Sequence, residues 1–162
     1  MKTLIAYRTK YGTTASVARQ LAERIGGEVT VCDLAASPAP DVAAYDTVLI
    51  GGSIHAGRIQ RQVGSFCERH RPLLLGRRVG LFLCCLYTGE EADVQMQSAF
   101  PDWLLAHAVA RVFPGGEIRY ERLTFLDRLL VRALPHPSGD LSRLNPSAVD
   151  ELARAVRAPR AG

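Results

Sequence analysis

The sequence predicts an α/β domain built on a parallel sheet with helices over both faces, and three observations carry that prediction. Short β-branched runs alternate with amphipathic helical stretches along the chain, the pattern of strands joined by crossover helices. The run 47–51 is apolar through its centre, as a strand covered on both faces must be. Loops of unusual composition follow the first, third and fourth strands, and an open sheet gathers its ligand loops at those strand ends.

Residues 3–7 read as the first strand. The first helix spans 14–25, with Val17, Leu21 and Ile25 at i, i+4 spacing on one face. Gly26 and Gly27 end it, glycine being the residue that most readily adopts a left-handed C-cap. Residues 28–32 form a short second strand, and 35–42, with Pro38 and Pro40, a loop. The third strand is 47–51. A helix over 60–71 turns Val63, Phe66 and Cys67 inward, and Pro72 lies just beyond its end. The fourth strand is 78–85. Helical pattern returns over 92–108, where Pro101 opens a new helix at Asp102. The fifth strand, 109–113, runs into Pro114, Gly115 and Gly116. Residues 124–134 make a short amphipathic helix, stopped by Pro135 and Pro137. Asn145 and Pro146 start the last helix, one as N-cap and the other at the first helical position. Val149, Leu152 and Val156 form its buried stripe. Residues 1–157 thus read as a single domain, with 158–162 a frayed tail.

Composition narrows the function classes. A chain of 162 residues, 48% hydrophobic and 22% charged, suits one soluble domain that buries roughly 70% of its unfolded surface. Its longest apolar run, 79–86, falls far short of the ~18 residues that cross a bilayer. The apolar part of the N-terminus is too short for a signal peptide, so a cytoplasmic location is expected. Cys32, Cys67, Cys84 and Cys85 form no CxxC pair and no metal-ligand spacing, and read as small buried side chains. His70, His107 and His136 show no metal spacing either. The net charge is +4, yet only Lys2 and Lys10 are lysines and the other 18 basic residues are arginine. That skew reads as a compositional habit rather than nucleic-acid binding. A positive surface still attracts anionic substrates or lipid headgroups.

The turn after strand one, Arg8, Thr9, Lys10, Tyr11, Gly12, Thr13 and Thr14, leads directly into the first helix. Three hydroxyls, a glycine and a helix N-terminus make a cradle for phosphate: free N–H groups and the helix dipole attract it, and the threonines add donors. There is no GxGxxG for a dinucleotide and no GxxxxGK[ST] for a P-loop NTPase. Simple capping by Thr13 or Thr14 is the plain alternative.

This Thr-x-x-Gly-x-Thr turn resembles the phosphate loop of the flavodoxins, which holds flavin mononucleotide (FMN). The resemblance implies a flavodoxin-like three-layer sandwich whose five-stranded parallel sheet runs in the order 2-1-3-4-5. It makes Thr9, Lys10, Tyr11, Gly12, Thr13 and Thr14 the phosphate site. Gly51, Gly52, Ser53, Ile54, His55, Ala56 and Gly57 correspond to the loop on one side of the flavin ring, where glycine allows close backbone approach. Cys84, Cys85, Leu86, Tyr87, Thr88 and Gly89 lie where flavodoxins cover the other side. Tyr87 either stacks on the ring or packs on its neighbours. His55 is the candidate catalytic residue, donating to the ring or aiding proton transfer, with a solvent-facing loop histidine the alternative.

Within that superfamily the chain is more similar to the bacterial menaquinone-dependent protoporphyrinogen oxidases. The stretch from Tyr45 and Asp46 through Ile50, Gly51, Ser53 and Ile54 carries the likeness, with Gly64, Ser65, Phe66, Arg69 and His70 in the next helix. Arg119, Tyr120, Thr124, Phe125, Leu126, Asp127, Arg128 and Leu129 resemble a basic, aromatic segment absent from simple electron-carrier flavodoxins. The likeness implies oxidation of a porphyrinogen through FMN, with a quinone as acceptor and a place in heme biosynthesis. One departure is that the family's long basic insertion after strand four is replaced by a shorter stretch, 88–97, acidic at Glu90, Glu91 and Asp93. The segment with Arg119, Arg122, Arg128 and Arg132 reads as a basic amphipathic helix. It lies on a membrane surface, giving peripheral contact at the inner face of the cell membrane, or salt-bridges to substrate propionates, or packs Leu126, Leu129, Leu130 and Leu134 into the core. An electron carrier serving a redox-protein partner is the other reading. Such carriers are typically acidic, which favours the enzyme here. A flavin-free scaffold is disfavoured by the intact threonine loop.

Overall fold

The computed structural model describes residues 1–36, 41–132 and 141–159. The strands of the main sheet are β1 (Lys2–Tyr7), β2 (Glu28–Asp33), β3 (Thr47–His55), β4 (Arg58–Ile59), β5 (Arg78–Cys84) and β6 (Ala110–Val112). Five of them run parallel in the order β2-β1-β3-β5-β6. That is the 2-1-3-4-5 order once β4, a short antiparallel return on the end of β3, is set aside.

Alternation along the strands splits the core in two, because successive side chains point to opposite faces. Ile5, Leu49 and Phe82 face α1 (Thr13–Ile25) and α7 (Pro146–Arg157), where Val17, Leu21, Val149, Leu152 and Val156 meet them. Leu4, Val48, Ile50, Leu81 and Leu83 face the opposite layer. That layer holds α2 (Arg61–Arg69), α3 (Arg71–Leu75), α4 (Gly89–Ala99) and α5 (Asp102–His107). Register aligns the strand ends: Tyr7 pairs with Gly51, Gly51 with Phe82, and Phe82 with Val112. The loops after β1, β3 and β5 therefore leave the sheet at one edge.

One local reading is corrected. Pro72 does not lie beyond a helix ending at residue 71; it sits in the first turn of α3, where a missing N–H costs nothing. Gly115 and Gly116, which follow the fifth strand, open β7 (Gly115–Ile118), which pairs antiparallel with β8 (Leu141–Leu144) in a separate two-stranded sheet. Gly115 has φ +88, and a β-carbon there would overlap the Arg143 carbonyl, so glycine marks a close strand approach.

Between these strands lie a 3₁₀ turn, Tyr120–Arg122, and α6 (Phe125–Arg132). Core packing of Leu126 and Leu129 is also corrected. Phe125 and Leu126 are 76% and 71% exposed and Leu129 is half-exposed, whereas Asp127 is 5% exposed. Among the described side chains of α6, the buried one is the acid Asp127. Pro38, Pro40, the stop at Pro135 and Pro137, Leu134, His136 and the final residues 160–162 lie outside the described residues.

Candidate functional site

A cavity of about 510 Å³ opens at the shared strand edge. Thr9, Lys10, Tyr11, Thr13 and Thr14 line it from the first loop, and Ser53, Ile54, His55, Ala56 and Gly57 from the second. Cys85, Leu86 and Tyr87 come from the third. Of the other residues singled out in the sequence, Gly12 is the N-cap of α1, and Thr88 and Gly89 start α4. Gly52 faces away: its β-carbon would meet Ile59 Cδ1 at 2.7 Å, so its close approach is to the β4 return and not to the cavity.

The first loop is shaped by its own polar groups. Thr9 Oγ1 accepts from Gly12 N at 2.9 Å, and Arg8, which also donates to the Thr9 carbonyl, pairs with Asp33 at 3.6 Å. Gly12 takes φ +97, a left-handed conformation costly for any side chain. Among the described residues no side chain caps α1, and its first turn carries no acid, so its leading N–H groups are left at the loop end of the helix. Thr14 is fully buried, and its Oγ1 makes no hydrogen bond among the described residues. The Cys84 thiol adjoins it, a weak donor pushed up to about 12 by burial, with the Thr14 hydroxyl a lesser opposing influence. The Tyr11 hydroxyl is likewise buried without a described partner. Buried polar atoms without partners are uncommon in native proteins, and each calls for a ligand, an ion or a water.

The second loop turns through Ala56 at φ 48 and Gly57 at φ 75 into β4. Two consecutive left-handed residues are what a two-residue hairpin loop requires. Gln60 holds the loop, accepting from Ser53 N at 3.0 Å and donating to Ser53 Oγ at 2.6 Å. The third loop is tied by the Cys85 thiol to the Tyr87 carbonyl at 3.7 Å. Burial raises Cys85 as well as Cys84, leaving both as neutral, unreactive wall thiols.

A fourth wall comes from the β7–β8 unit. Gly116, Glu117, Ile118, Leu123, Asp127 and Arg143 line the cavity, joined by Cys84 and Glu91. Arg143 Nη1 donates to the Leu86 carbonyl at 3.2 Å, fastening this unit to the third loop.

Asp127 joins three segments. Its carboxylate lies 2.9 Å from Lys10 Nζ and 3.0 Å from His55 Nε2, and it accepts from Thr124 Oγ1 at 2.8 Å. Lys10 Nζ and His55 Nε2 are themselves 2.7 Å apart. A single imidazole nitrogen serves one partner at a time: bare, it accepts from Lys10; protonated, it donates to Asp127. Burial, then the Lys10 charge, holds the imidazole below its ordinary 6.5, outweighing the adjacent carboxylate. The folded ring therefore binds its proton less tightly than the unfolded one. This group's share of stability rises with pH up to about 6.5 and is level above it. An NMR titration of the His55 ring is expected to show a midpoint below 6.5 that rises in Lys10→Met. A midpoint above 6.5 would show the carboxylate dominating instead.

The sequence named His55 and Lys10 but gave Asp127 no role in the site. The available signal was Thr124 three residues before Asp127 ahead of an apolar run, the spacing of a helix-capping box. The cap is formed, with Asp127 N donating to Thr124 Oγ1 at 3.3 Å.

Comparisons fit this geometry. Residues 4–144 match the flavodoxin domain family. Protoporphyrinogen IX dehydrogenase (quinone) of Escherichia coli K12 is 25% identical over 147 residues, covering 86% of this chain and 81% of that protein. The two-electron reduced flavodoxin of Megasphaera elsdenii superposes with a TM-score of 0.58 at 18% identity, covering 95% of this chain and 97% of that one. The flavodiiron protein of Giardia intestinalis superposes at 0.53 and 15% identity; 96% of this chain matches 36% of that larger one. Those two likenesses show the fold, and the family match spans most of the sequence. The chain belongs to the flavodoxin domain family.

Proposed function

We propose that this protein is an FMN-dependent oxidoreductase that takes hydrogens from a porphyrinogen-type substrate and passes electrons to a quinone. FMN is the cofactor that family membership implies, and the residues present suit it. The uncapped start of α1, Thr13 and the unpartnered Thr14 hydroxyl offer donors for a phosphate monoester. The second and third loops leave a slot for a planar ring. When bound, FMN supplies one- and two-electron chemistry that no amino-acid side chain offers. The chain's own residues handle position and protons. Asp127 holds the Lys10 ammonium and the His55 ring at the cavity wall, and His55 Nε2 takes or gives up the proton.

One observation carries the enzyme reading: the Lys10–His55–Asp127 cluster built into the cavity wall by the segment around α6. Removing hydrogen from carbon or nitrogen needs a proton acceptor, whereas pure electron exchange does not. The 25% identity to the Escherichia coli dehydrogenase supports the substrate and acceptor. The exposed Phe125, Leu126 and Leu129 on α6, in a chain of net charge +4, suit peripheral contact with an anionic inner membrane face where quinone resides. No described helix is long and apolar enough to cross a membrane. A second reading, a flavodoxin-type carrier for a redox-protein partner, is favoured by the acidic first turn of α4, Glu90 and Glu91, where the oxidase family is basic.

The test has two stages. Purified protein is expected to be yellow and to release FMN on heating. It is then expected to oxidise protoporphyrinogen with a menaquinone analogue faster than autoxidation. Colourless protein that micromolar FMN does not reconstitute would end both readings. Bound FMN without turnover, together with rapid exchange with a flavodoxin reductase, would leave the carrier.

A further inference from the structure

We propose that Arg122 is a phosphate-binding residue, the cation that lets this site distinguish a phosphorylated flavin from an unphosphorylated one. The inference rests on the FMN reading above and adds a residue to it from outside the threonine turn. A β-carbon built on Gly12 would have one heavy atom of the surrounding protein within 4 Å, Arg122 Nη1 at 3.7 Å. The guanidinium thus stands at the open side of the turn that leads into α1.

The charges around that turn single out Arg122. Lys10 is held by Asp127 at 2.9 Å and by His55 at 2.7 Å, and Arg8 by Asp33 at 3.6 Å. Arg122 has no carboxylate partner among the described residues, and its side chain is exposed. Lys10 and Asp127 cancel. Without Arg122, a phosphate of charge near −2 at this turn would meet only hydroxyls and the fractional charge of one helix end, because Arg143, a further cation of the cavity wall, is fastened to the Leu86 carbonyl on the third loop. A planar guanidinium supplies a full charge and a donor fork matched to phosphate oxygens. The fully buried Thr14 hydroxyl, which lines the cavity and has no hydrogen-bond partner among the described residues, is the independent sign that a hydrogen-bonding ligand belongs there; Arg122 stands outside the cavity lining, over the Gly12 side of the same turn.

The position of Arg122 is built, not incidental. It ends the 3₁₀ turn, with its N–H on the Arg119 carbonyl at 2.9 Å. Two residues on, Thr124 opens α6 and caps it through Asp127. The Asp127–Lys10 pair then fastens α6 to the same β1–α1 loop that Arg122 faces. One segment therefore delivers both an acid that occupies the loop's lysine and a free cation that replaces it.

FMN and riboflavin share the ring and the ribityl chain and differ by the phosphate, so their affinity ratio isolates this contact. Dissociation constants for both would be measured by flavin fluorescence with the apoprotein, at low and high salt. Arg122→Gln is expected to weaken FMN binding by about tenfold or more and to leave riboflavin unchanged. The salt dependence of FMN binding should flatten, and Arg122→Lys should keep part of the FMN preference. A wild-type FMN preference that survives intact in Arg122→Gln overturns the role of Arg122 and leaves the FMN reading standing. Wild-type protein that binds neither flavin overturns the FMN reading itself.

Discussion

The double replacement Thr13→Ala, Thr14→Ala is expected to weaken FMN binding by a few kcal/mol, on the order of a hundredfold or more in Kd. Each hydroxyl that reaches a charged phosphate contributes about 1.5–3 kcal/mol. Both threonines line the cavity at an uncapped helix start. Fluorescence titration of the apoprotein checks it, and unchanged affinity would place the phosphate elsewhere. A single replacement separates binding from folding. Thr14→Val keeps the shape of the side chain and removes a buried hydroxyl that has no described partner. The apoprotein should therefore gain about 1 kcal/mol, since an unsatisfied buried polar group is costly. The weak Cys84 donor beside it limits that gain. FMN affinity should fall at the same time. A hydroxyl that served only the fold would move both quantities down together.

The three loops were legible because the chemistry of each is local. Hydroxyls, glycines and a helix start lie within a few consecutive residues, and the strand pattern fixes where such loops emerge. The fourth wall was not local. Asp127 meets Lys10 across most of the chain and His55 across nearly half of it, and Arg122 reaches Gly12 over a separation like the first. No spacing rule links such positions. The β7–β8 pair was missed for a related reason: its strands are four residues each, one opens on two glycines, and they are joined across a long excursion. The pattern of α6 gave two faces, leucine and arginine, and the burial of leucine followed from hydrophobicity alone. Among the described side chains, Leu126 and Leu129 stay outside and the acid is buried, because Asp127 finds a lysine, a histidine and a threonine inside. Partners decide which polar group is buried, and partners are what a lone helix pattern omits.

Gly51→Ala is expected to destabilise the protein by about 3 kcal/mol or more, the cost of overfilling a closed core at a position with no room to give. The sequence placed Gly51 at the start of the ring loop, where glycine would admit a flat ligand. A β-carbon there would overlap the ring of Phe82, its register partner on β5. Phe82 is fully buried among Ile5, Leu21, Leu49 and Leu152, so the ring cannot swing aside without displacing α1 or α7. Urea unfolding of the apoprotein reads the effect, and Phe82→Leu offers the control. By removing the ring atoms that collide, it should make the pair of replacements less damaging than the sum of the two singles. A glycine retained for the ligand would behave otherwise, with apoprotein stability barely changed and FMN affinity lost. The expected order of effects, stability first and affinity only as a consequence, follows because Gly51 also fixes the first loop: its carbonyl accepts from Arg8 N at 3.1 Å. Displacing β3 at this point therefore moves the start of the phosphate turn as well, and one steric contact deep in the sheet sets the geometry of the site at its edge.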